Sequence, residues 1–381
     1  MAVHIVPVLS GLDLEAFIDL PYRLHAHSPW VPPLRSQERQ LLSPALHPFW
    51  QNASCRLFLA KRQGQVVGRI AAIIDHSYNS YAHEACGAFG FFESQNDREA
   101  AHALLQTASD WLAAQGMDFI RGPLNPSTNY SCGLLVDGFD EAPALMMPWN
   151  PPYYAELLAS WHAYKEQDLL AYRIFRHSQS LQEISGEQSL TDAFSCRHAS
   201  KATLKEDIES LLALYRRSWA KNFLFTPLSK HEERLLVEEL LPIVDCDYFV
   251  LFFHEKRVCA AMVALPDLTP LLRKLDGSIS LAAPFQYMAL RPLFRRGYRI
   301  MLFGIEEEYR LFGLPSLLMR YMLRQAEQNP DLEWVEGSWV LEDNTAICDL
   351  IEDFSGVITK RYRIYRKEIV TCRCSRENVL F

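Results

Sequence analysis

The segment 300–322, IMLFGIEEEYRLFGLPSLLMRYM, is where residue types and spacing point most directly at chemistry. An apolar run ends at Ile305, an acidic-to-basic turn follows, and Arg310, two further residues and Gly313 lead into an amphipathic stretch. A strand, a glycine-bearing loop and a helix start together form an anion site. The first N–H groups of a helix have no intrahelical partner, and the helix dipole is positive at that end. Gly313 allows unusual dihedrals and close backbone approach, and Pro315 suits the first helical positions, where its missing N–H would be unpaired anyway. The same pattern also serves as a plain structural turn, and the residues alone leave both readings open.

A second concentration of polar groups lies at Arg121–Asp137, RGPLNPSTNYSCGLLVD. Asn125, Ser127, Thr128 and Asn129 gather amides and hydroxyls between turn-forming Gly122, Pro123, Pro126 and Gly133. Such a stretch either orients a substrate or closes a hydrogen-bonded loop. Asp75 reads as a cap or turn residue, and Trp149–Tyr154 (WNPPYY) as a helix start with packed aromatics. A Gly-x-Ser-x-Gly elbow, a phosphate loop ending in Gly-Lys-Ser/Thr and a His-Glu-x-x-His zinc motif are all absent. His25 and His27 have no cysteine or carboxylate cluster beside them, so no metal is expected. Cys132 lacks an identifiable histidine partner and is a poor nucleophile candidate.

The elements that must position these groups occur twice. Leu57–Ala60 with Val66–Ile74, and Tyr248–Phe253 with Val258–Leu265, read as hairpins around short polar turns. A further strand follows each, Gly87–Phe92 and Ile300–Ile305, and then an amphipathic helix. Leu104, Leu105, Ala108, Trp111 and Leu112 recur at helical spacing in the first; Leu314, Leu317, Leu318, Tyr321 and Met322 do so in the second. Met117–Arg121 and Trp334–Leu341 are the next strands, each followed by a short helix and a terminal strand. Two related α/β units with mixed sheets follow from that order. The expected organisation is a unit at 1–175, a linker at 176–200 poor in apolar periodicity, and a unit at 201–381, with helices at Leu204–Trp219 and His231–Leu241 flanking the second sheet.

The chain has 381 residues, 49% apolar and 22% charged, which excludes a disordered, collagen-like or coiled-coil protein. Its net charge of −8 argues against general nucleic-acid binding, which wants clustered Lys and Arg. The nine cysteines are scattered, with only Cys372 and Cys374 close together, so free thiols in a reducing compartment are expected. No apolar run approaches the roughly 18 residues of a membrane span. A soluble, cytoplasmic protein without an integral membrane segment is the expectation.

The run GIEEEYRLFGLPSLLM resembles the acyl-CoA-binding motif of the GNAT acyltransferase superfamily, Arg/Gln-x-x-Gly-x-Gly/Ala after the fourth strand. Arg310 and Gly313 match its first two fixed positions, and Pro315 departs from the third. SWVLEDNTAICDLIEDFSGVITKRYRIYRKEI resembles the rest of such a domain, with Ser338–Leu341 as its fifth strand, Asn344–Asp353 as its fourth helix and Thr359–Tyr365 as a later strand. FGFFES, RGPLNPSTN, LLVDGFD and WNPPYYAELL are similar to the N-terminal part of a little-characterised group of two-unit GNAT-like proteins.

That resemblance implies an α/β (α+β) fold of tandem GNAT-like mixed-sheet units, each running strand hairpin, strand, helix, strand, helix, strand. It also implies N-acyl transfer from acetyl-CoA or a longer acyl-CoA to a small-molecule or peptide amine, by direct attack in a ternary complex. Cofactor contacts would come from Ile305, Arg310, Leu311, Phe312, Gly313, Leu314, Pro315 and Ser316, with Asn344 reaching in from the next helix start. The amine proton would go to Glu342, Glu306 or Glu307, with Glu342 preferred because it follows the strand beside the thioester. The helix Asn344–Asp353 holds no tyrosine to protonate the leaving thiolate, so Tyr362 is the fallback. The first unit reads ESQNDREAAH after Ala88–Phe92, acidic and without glycine, and would not grip a pyrophosphate. It would instead serve the acceptor through Asn125, Ser127, Thr128 and Asn129. A long apolar groove between the units would favour a fatty acyl donor. Two other classes stand beside this one: a non-catalytic acyl-CoA sensor or scaffold, and an aminoacyl transferase of the cell-wall-peptide type.

Overall fold

A computed structural model describes residues 2–177 and 193–369. Residues 178–192 of the expected linker, and the Cys372/Cys374 pair, lie outside the described residues. In the first half the strands are β1 (His4–Pro7), β2 (Ala53–Arg62), β3 (Gln65–Asp75), β4 (Cys86–Ser94), β5 (Phe119–Gly122), β6 (Leu124–Asn125), β7 (Ser131–Cys132), β8 (Leu134–Asp137) and β9 (Tyr164–Phe175). In the second they are β10 (Phe194–His198), β11 (Phe249–His254), β12 (Arg257–Pro266), β13 (Gly297–Ile305), β14 (Trp334–Leu341) and β15 (Val357–Glu368). The helices are α1 (Gly11–Leu24), α2 (Arg35–Leu41), α3 (His76–Ala82), α4 (Arg98–Ala114), α5 (Tyr153–Ser160), α6 (Leu204–Ser218), α7 (Lys230–Leu240), α8 (Thr269–Leu275), α9 (Ala283–Phe294), α10 (Leu314–Gln328) and α11 (Thr345–Asp353).

One mixed sheet runs through the molecule in the order β1-β2-β3-β4-β5-β15-β9-β14-β13-β12-β11-β10, with β8 also on β15. Each half repeats one pattern: antiparallel strands leading to a parallel pair, β4 with β5 and β13 with β14. The two halves exchange their last strands. β9, from the first half, pairs antiparallel with β14 of the second, and β15 pairs antiparallel with β5 of the first. β9 and β15 then pair with each other from Val357↔Arg173 to Arg366↔Tyr164, which makes the sheet continuous.

Amphipathic helices cover both faces, as the strand–helix order requires. The α4 stripe Leu104, Leu105, Ala108 and Leu112 is buried against Ile70, Ala72 and Phe89. The α10 stripe Leu314, Leu317, Leu318 and Met322 is buried against Phe252, Met262 and Tyr298. On the opposite face of the second half, Ile208, Leu211 and Leu212 of α6 meet Leu251, Ala261 and Val263. Truncating one of these fully buried leucines costs about 2–5 kcal/mol in such settings.

The two parallel pairs have different fates. β4 and β5 are in register only from Cys86↔Phe119 to Ala88↔Arg121, and the gap beyond is filled by the chain itself. The Phe91 amide donates to Asn125 Oδ1 at 2.6 Å, and a Cβ on Gly90 would lie 1.7 Å from the Leu124 carbonyl. β13 and β14 pair from Gly297↔Trp334 to Ile300↔Gly337 and then separate without a filling segment.

Candidate functional site

The open gap between β13 and β14 is a cavity of about 600 Å³, within the usual range for a small-molecule site. Beyond Ile300 and Gly337 the facing edges of the two strands no longer pair with each other, and the outer edges stay bonded to β12 and β9. The ladder on β14 shifts register between Gly337 and Val340, and Trp339 lines the gap there. The cavity passes through the sheet. On the α10–α11 side it is lined by Pro315, Met319, Ile347 and Leu350; on the α6–α7 side, by Leu212, Tyr215, Leu228 and Leu236. Among its described lining residues Arg299 and Arg310 carry the only charges, and no carboxylate, histidine or cysteine contributes.

At one mouth stands the loop before α10. Gly313 has φ of +75°, the left-handed region, and a Cβ there would meet nothing within 4 Å. No side chain caps α10, so its first N–H groups are left to a ligand or solvent. Leu314 is buried and pins the helix start to the core, while Leu311 and Phe312 are exposed. Arg310 lies across the loop, its guanidinium donating to the Ser218 carbonyl at 3.1 Å. Ile305, Arg310, Leu311, Pro315 and Asn344 all line the cavity. Phe312 instead leans toward Phe194, with ring centroids 6.0 Å apart, and Ser316 is half-buried within α10. The matching end of α4 is closed, because Asp97 accepts from the Ala100 amide at 3.2 Å and is also bound by Arg62 at 2.7 Å.

The carboxylates expected to take a proton do not converge on the cavity. Glu306 is held by Arg217 Nε at 2.6 Å and by Arg257 at 2.8 Å. Glu307 pairs with Lys221 at 2.9 Å on the surface. Glu342 accepts from Lys165 at 2.7 Å and from the Asp168 amide at 3.0 Å. Tyr362 is fully buried, and its hydroxyl has no partner among the described residues. Burial, then the nearby Glu336 charge, push its pKa well above the usual phenol, which keeps it protonated.

The polar loop of the first half does reach the gap. Thr128 donates to the Leu224 carbonyl at 2.8 Å, and Asn129 donates to the Thr226 carbonyl at 2.9 Å. The Asn129 amide oxygen accepts from the Tyr215 hydroxyl at 2.7 Å, which fixes its orientation. Thr128 and Asn129 line the cavity, whereas Asn125 fills the β4–β5 gap and buried Ser127 accepts from the Asn129 amide at 3.3 Å. Tyr130, the next residue, was not foreseen from the sequence. It lines the cavity, and its hydroxyl donates to Glu232 Oε1 at 2.8 Å. Glu232 also closes the capping box of α7, with its other oxygen on the Ser229 amide at 2.9 Å. The Ser-x-x-Glu spacing in 229–232 signals a helix start; nothing local signals a contact 102 residues away. Arg299 was also missed: it is buried in the wall, bonded to Ser338 Oγ at 2.9 Å and to the Leu145 carbonyl at 3.0 Å. Among the described residues no cluster of His, Cys, Asp or Glu could hold a metal ion.

Each half carries a parallel strand pair joined through a helix, and the two halves exchange their last strands; the second half adds a splayed gap with a glycine loop at the helix start. Together these features define a tandem GNAT fold. Solved structures agree with it. A tandem GNAT protein from the clavulanic acid biosynthesis pathway superposes with a TM-score of 0.59 over 97% of this chain and 99% of its own, at 12% identity. A GCN5-related N-acetyltransferase from Sphaerobacter thermophilus gives 0.51 over 96% of each, at 11% identity. No protein-family model matches the chain. In sequence it is 31% identical over 375 residues to Protein YghO of Escherichia coli K12, covering 95% of this chain and 94% of that one. It is 30% identical over 381 residues to a protein of Caulobacter vibrioides named bacterial ceramide synthase, covering 96% and 98%. The chain belongs to the family that contains these two proteins.

Proposed function

We propose that the protein is an N-acyltransferase that moves a long acyl group from coenzyme A to the amine of an apolar acceptor. The observation that carries this reading is the through-sheet cavity, with an uncapped helix start at one mouth and apolar side chains along both faces. The name of the Caulobacter relative supports it, since a ceramide joins a fatty acid and a long-chain base through an amide. Acyl-CoA would supply an activated thioester. The α10 start, with Gly313 and Arg310, would bind the diphosphate, and the unpaired inner edges of β13 and β14 would pair with the peptide-like pantetheine arm. Backbone N–H groups on those edges would stabilise charge developing on the thioester oxygen, a contribution of about 3–4 kcal/mol where donors are preorganised. Each methylene buried in the cavity adds about 0.8 kcal/mol, close to fourfold in affinity.

Glu306, Glu307 and Glu342 are each ion-paired away from the cavity, so the amine proton needs another route. Tyr130 provides one. Burial, then the Glu232 charge, hold its pKa far above the usual phenol, so it relays a proton rather than ionising. Its oxygen would accept from the amine as its own proton passes to Glu232; the C–N bond forms, the C–S bond breaks and the thiolate leaves. Incubation with hexadecanoyl-CoA and a long-chain amino alcohol tests the reading, with thiol release and the amide product followed together. The amide should appear in step with free thiol. Absence of both, in protein that still binds the thioester, contradicts it.

A further inference from the structure

Between β12 and β13 the chain leaves the sheet for α8 and α9, and this excursion carries an apolar surface facing outward. Leu281 is 98% exposed, Phe285 76% and Met288 73%, with Ile279 at 67% beside them. Phe285 and Met288 stand at i and i+3 on one side of α9, and Leu281 lies in the turn just before the helix. Of the α9 residues only Phe294 is buried. An amphipathic helix on a globular protein normally turns its stripe inward, so this one is mounted the other way round.

The same excursion is basic. Over 269–296 it holds Arg273, Lys274, Arg291, Arg295 and Arg296 against a single carboxylate, Asp276, in a chain whose net charge is −8. Lys274, Arg291 and Arg295 are exposed and form no ion pair among the described residues. The excursion is held firmly from behind: Arg273 donates to the Pro29 carbonyl at 2.6 Å and Arg35 to the Asp276 carbonyl at 2.9 Å. Apolar side chains among cations on a fixed helix are complementary to a surface that is apolar beneath and anionic above.

We infer that α9 and the turn before it dock the protein on an anionic phospholipid bilayer, with Leu281, Phe285 and Met288 entering the acyl boundary and Arg291, Arg295 and Lys274 at the headgroups. No helix of the described residues is long and apolar enough to cross a membrane, so this is attachment to one leaflet. The placement gives it a use. α9 leads into Gly297 at one end of β13, and the loop before α10 follows Ile305 at the other, roughly 26 Å along a nine-residue strand. Arg299, Ile300, Met301, Leu302, Phe303 and Ile305 of that strand line the cavity. A bilayer at the α9 end and a water-soluble donor at the α10 end would reach one cavity from opposite directions. This use rests on the proposed acyl transfer; the docking itself does not.

Flotation of the full-length protein with vesicles of phosphatidylcholine plus phosphatidylglycerol tests it, with pure phosphatidylcholine vesicles as the second arm. The wild type should float with the anionic vesicles, weakly with the neutral ones, and less as salt is raised. The double variant Arg291→Gln/Arg295→Gln should bind about 25-fold more weakly, from about fivefold per charge. Leu281→Ser/Phe285→Ser/Met288→Ser should lose binding at any charge. Both sets are surface changes, and a thermal melt on each checks the fold; if the triple variant misfolds, the arginine pair decides alone. Wild-type protein that stays in solution, or folded variants that float as well as wild type, overturn the inference. So does light scattering that shows a dimer dissolved by the triple variant without any flotation, which would make a second copy the occupant. Calorimetry with acyl-CoA on the same samples separates the two claims, because the variants lie outside the cavity and should bind the thioester as wild type does.

Discussion

In the proposed reaction the amine proton passes through Tyr130, which lines the cavity and whose hydroxyl donates to Glu232. Tyr130→Phe keeps the ring and removes the relay. We expect kcat to fall by about 10²–10⁴ with thioester affinity within twofold of wild type, checked by steady-state kinetics beside calorimetry. Loss of affinity without loss of kcat would make Tyr130 a wall residue only. Asp75 supports a second prediction. It caps α3 by accepting from the Tyr78 amide at 2.9 Å, and burial pushes its pKa up to about 6. The raised value means the folded state holds a proton that the unfolded chain has released, so stability falls as pH rises from about 4 to 6. Asp75→Asn keeps the cap without the charge. It should match wild type at pH 4 and exceed it at pH 7 by about 1–3 kcal/mol, measured by denaturant melts at both. Asp75 as a cap was legible in sequence, because a short polar acceptor before a helix is a local signal. The partners of Glu306 and Glu342 were not, because Arg217, Arg257 and Lys165 are distant in the chain and near only once the sheet has formed.

At the scale of elements, the helix starts separate the two halves. α4 is capped by Asp97 and its strand gap is filled, whereas α10 begins at an uncapped glycine beside an open gap. The proposed function therefore gives Gly313 two jobs that substitutions can separate. Gly313→Ala should cost about 1–2 kcal/mol of stability from the left-handed backbone. Gly313→Asp should cost less stability, since aspartate tolerates that region better, yet bind the thioester far more weakly because its carboxylate faces the diphosphate. At the other side of the sheet, Leu236 lines the cavity on α7. Leu236→Trp should shorten the cavity and lower affinity for hexadecanoyl-CoA at least tenfold while leaving that for acetyl-CoA unchanged. The hairpins, the α4 and α10 stripes and the final helices were readable from periodicity, which is set by neighbours a few residues apart. α8 and α9 were not, because Pro270, Pro284 and Pro292 interrupt their pattern and the segment repeats nothing in the first half.

Across the whole molecule, the exchange of β9 and β15 makes the halves mutually dependent. A chain cut between them leaves β5 without β15 and β14 without β9, and each exposed edge would carry unpaired amides and carbonyls. Residues 1–192 and 193–381 expressed apart should be insoluble or lack a cooperative melt; expressed together they should assemble into a folded complex. The two-unit order of strands and helices was visible in the sequence, and the exchange was not. Terminal strands of both halves carry apolar character suited to either sheet, and only the packing of the finished molecule selects the partner.

In the proposed function the gap between β13 and β14 receives an acyl-CoA through the loop before α10. Titration calorimetry of hexadecanoyl-CoA into wild-type protein, Arg310→Ala and Gly313→Asp tests it most directly. Saturable one-to-one binding by the wild type, weakened at least tenfold in both variants with their melts preserved, is the predicted result. No heat with the wild type, or equal affinity in all three proteins, would contradict it.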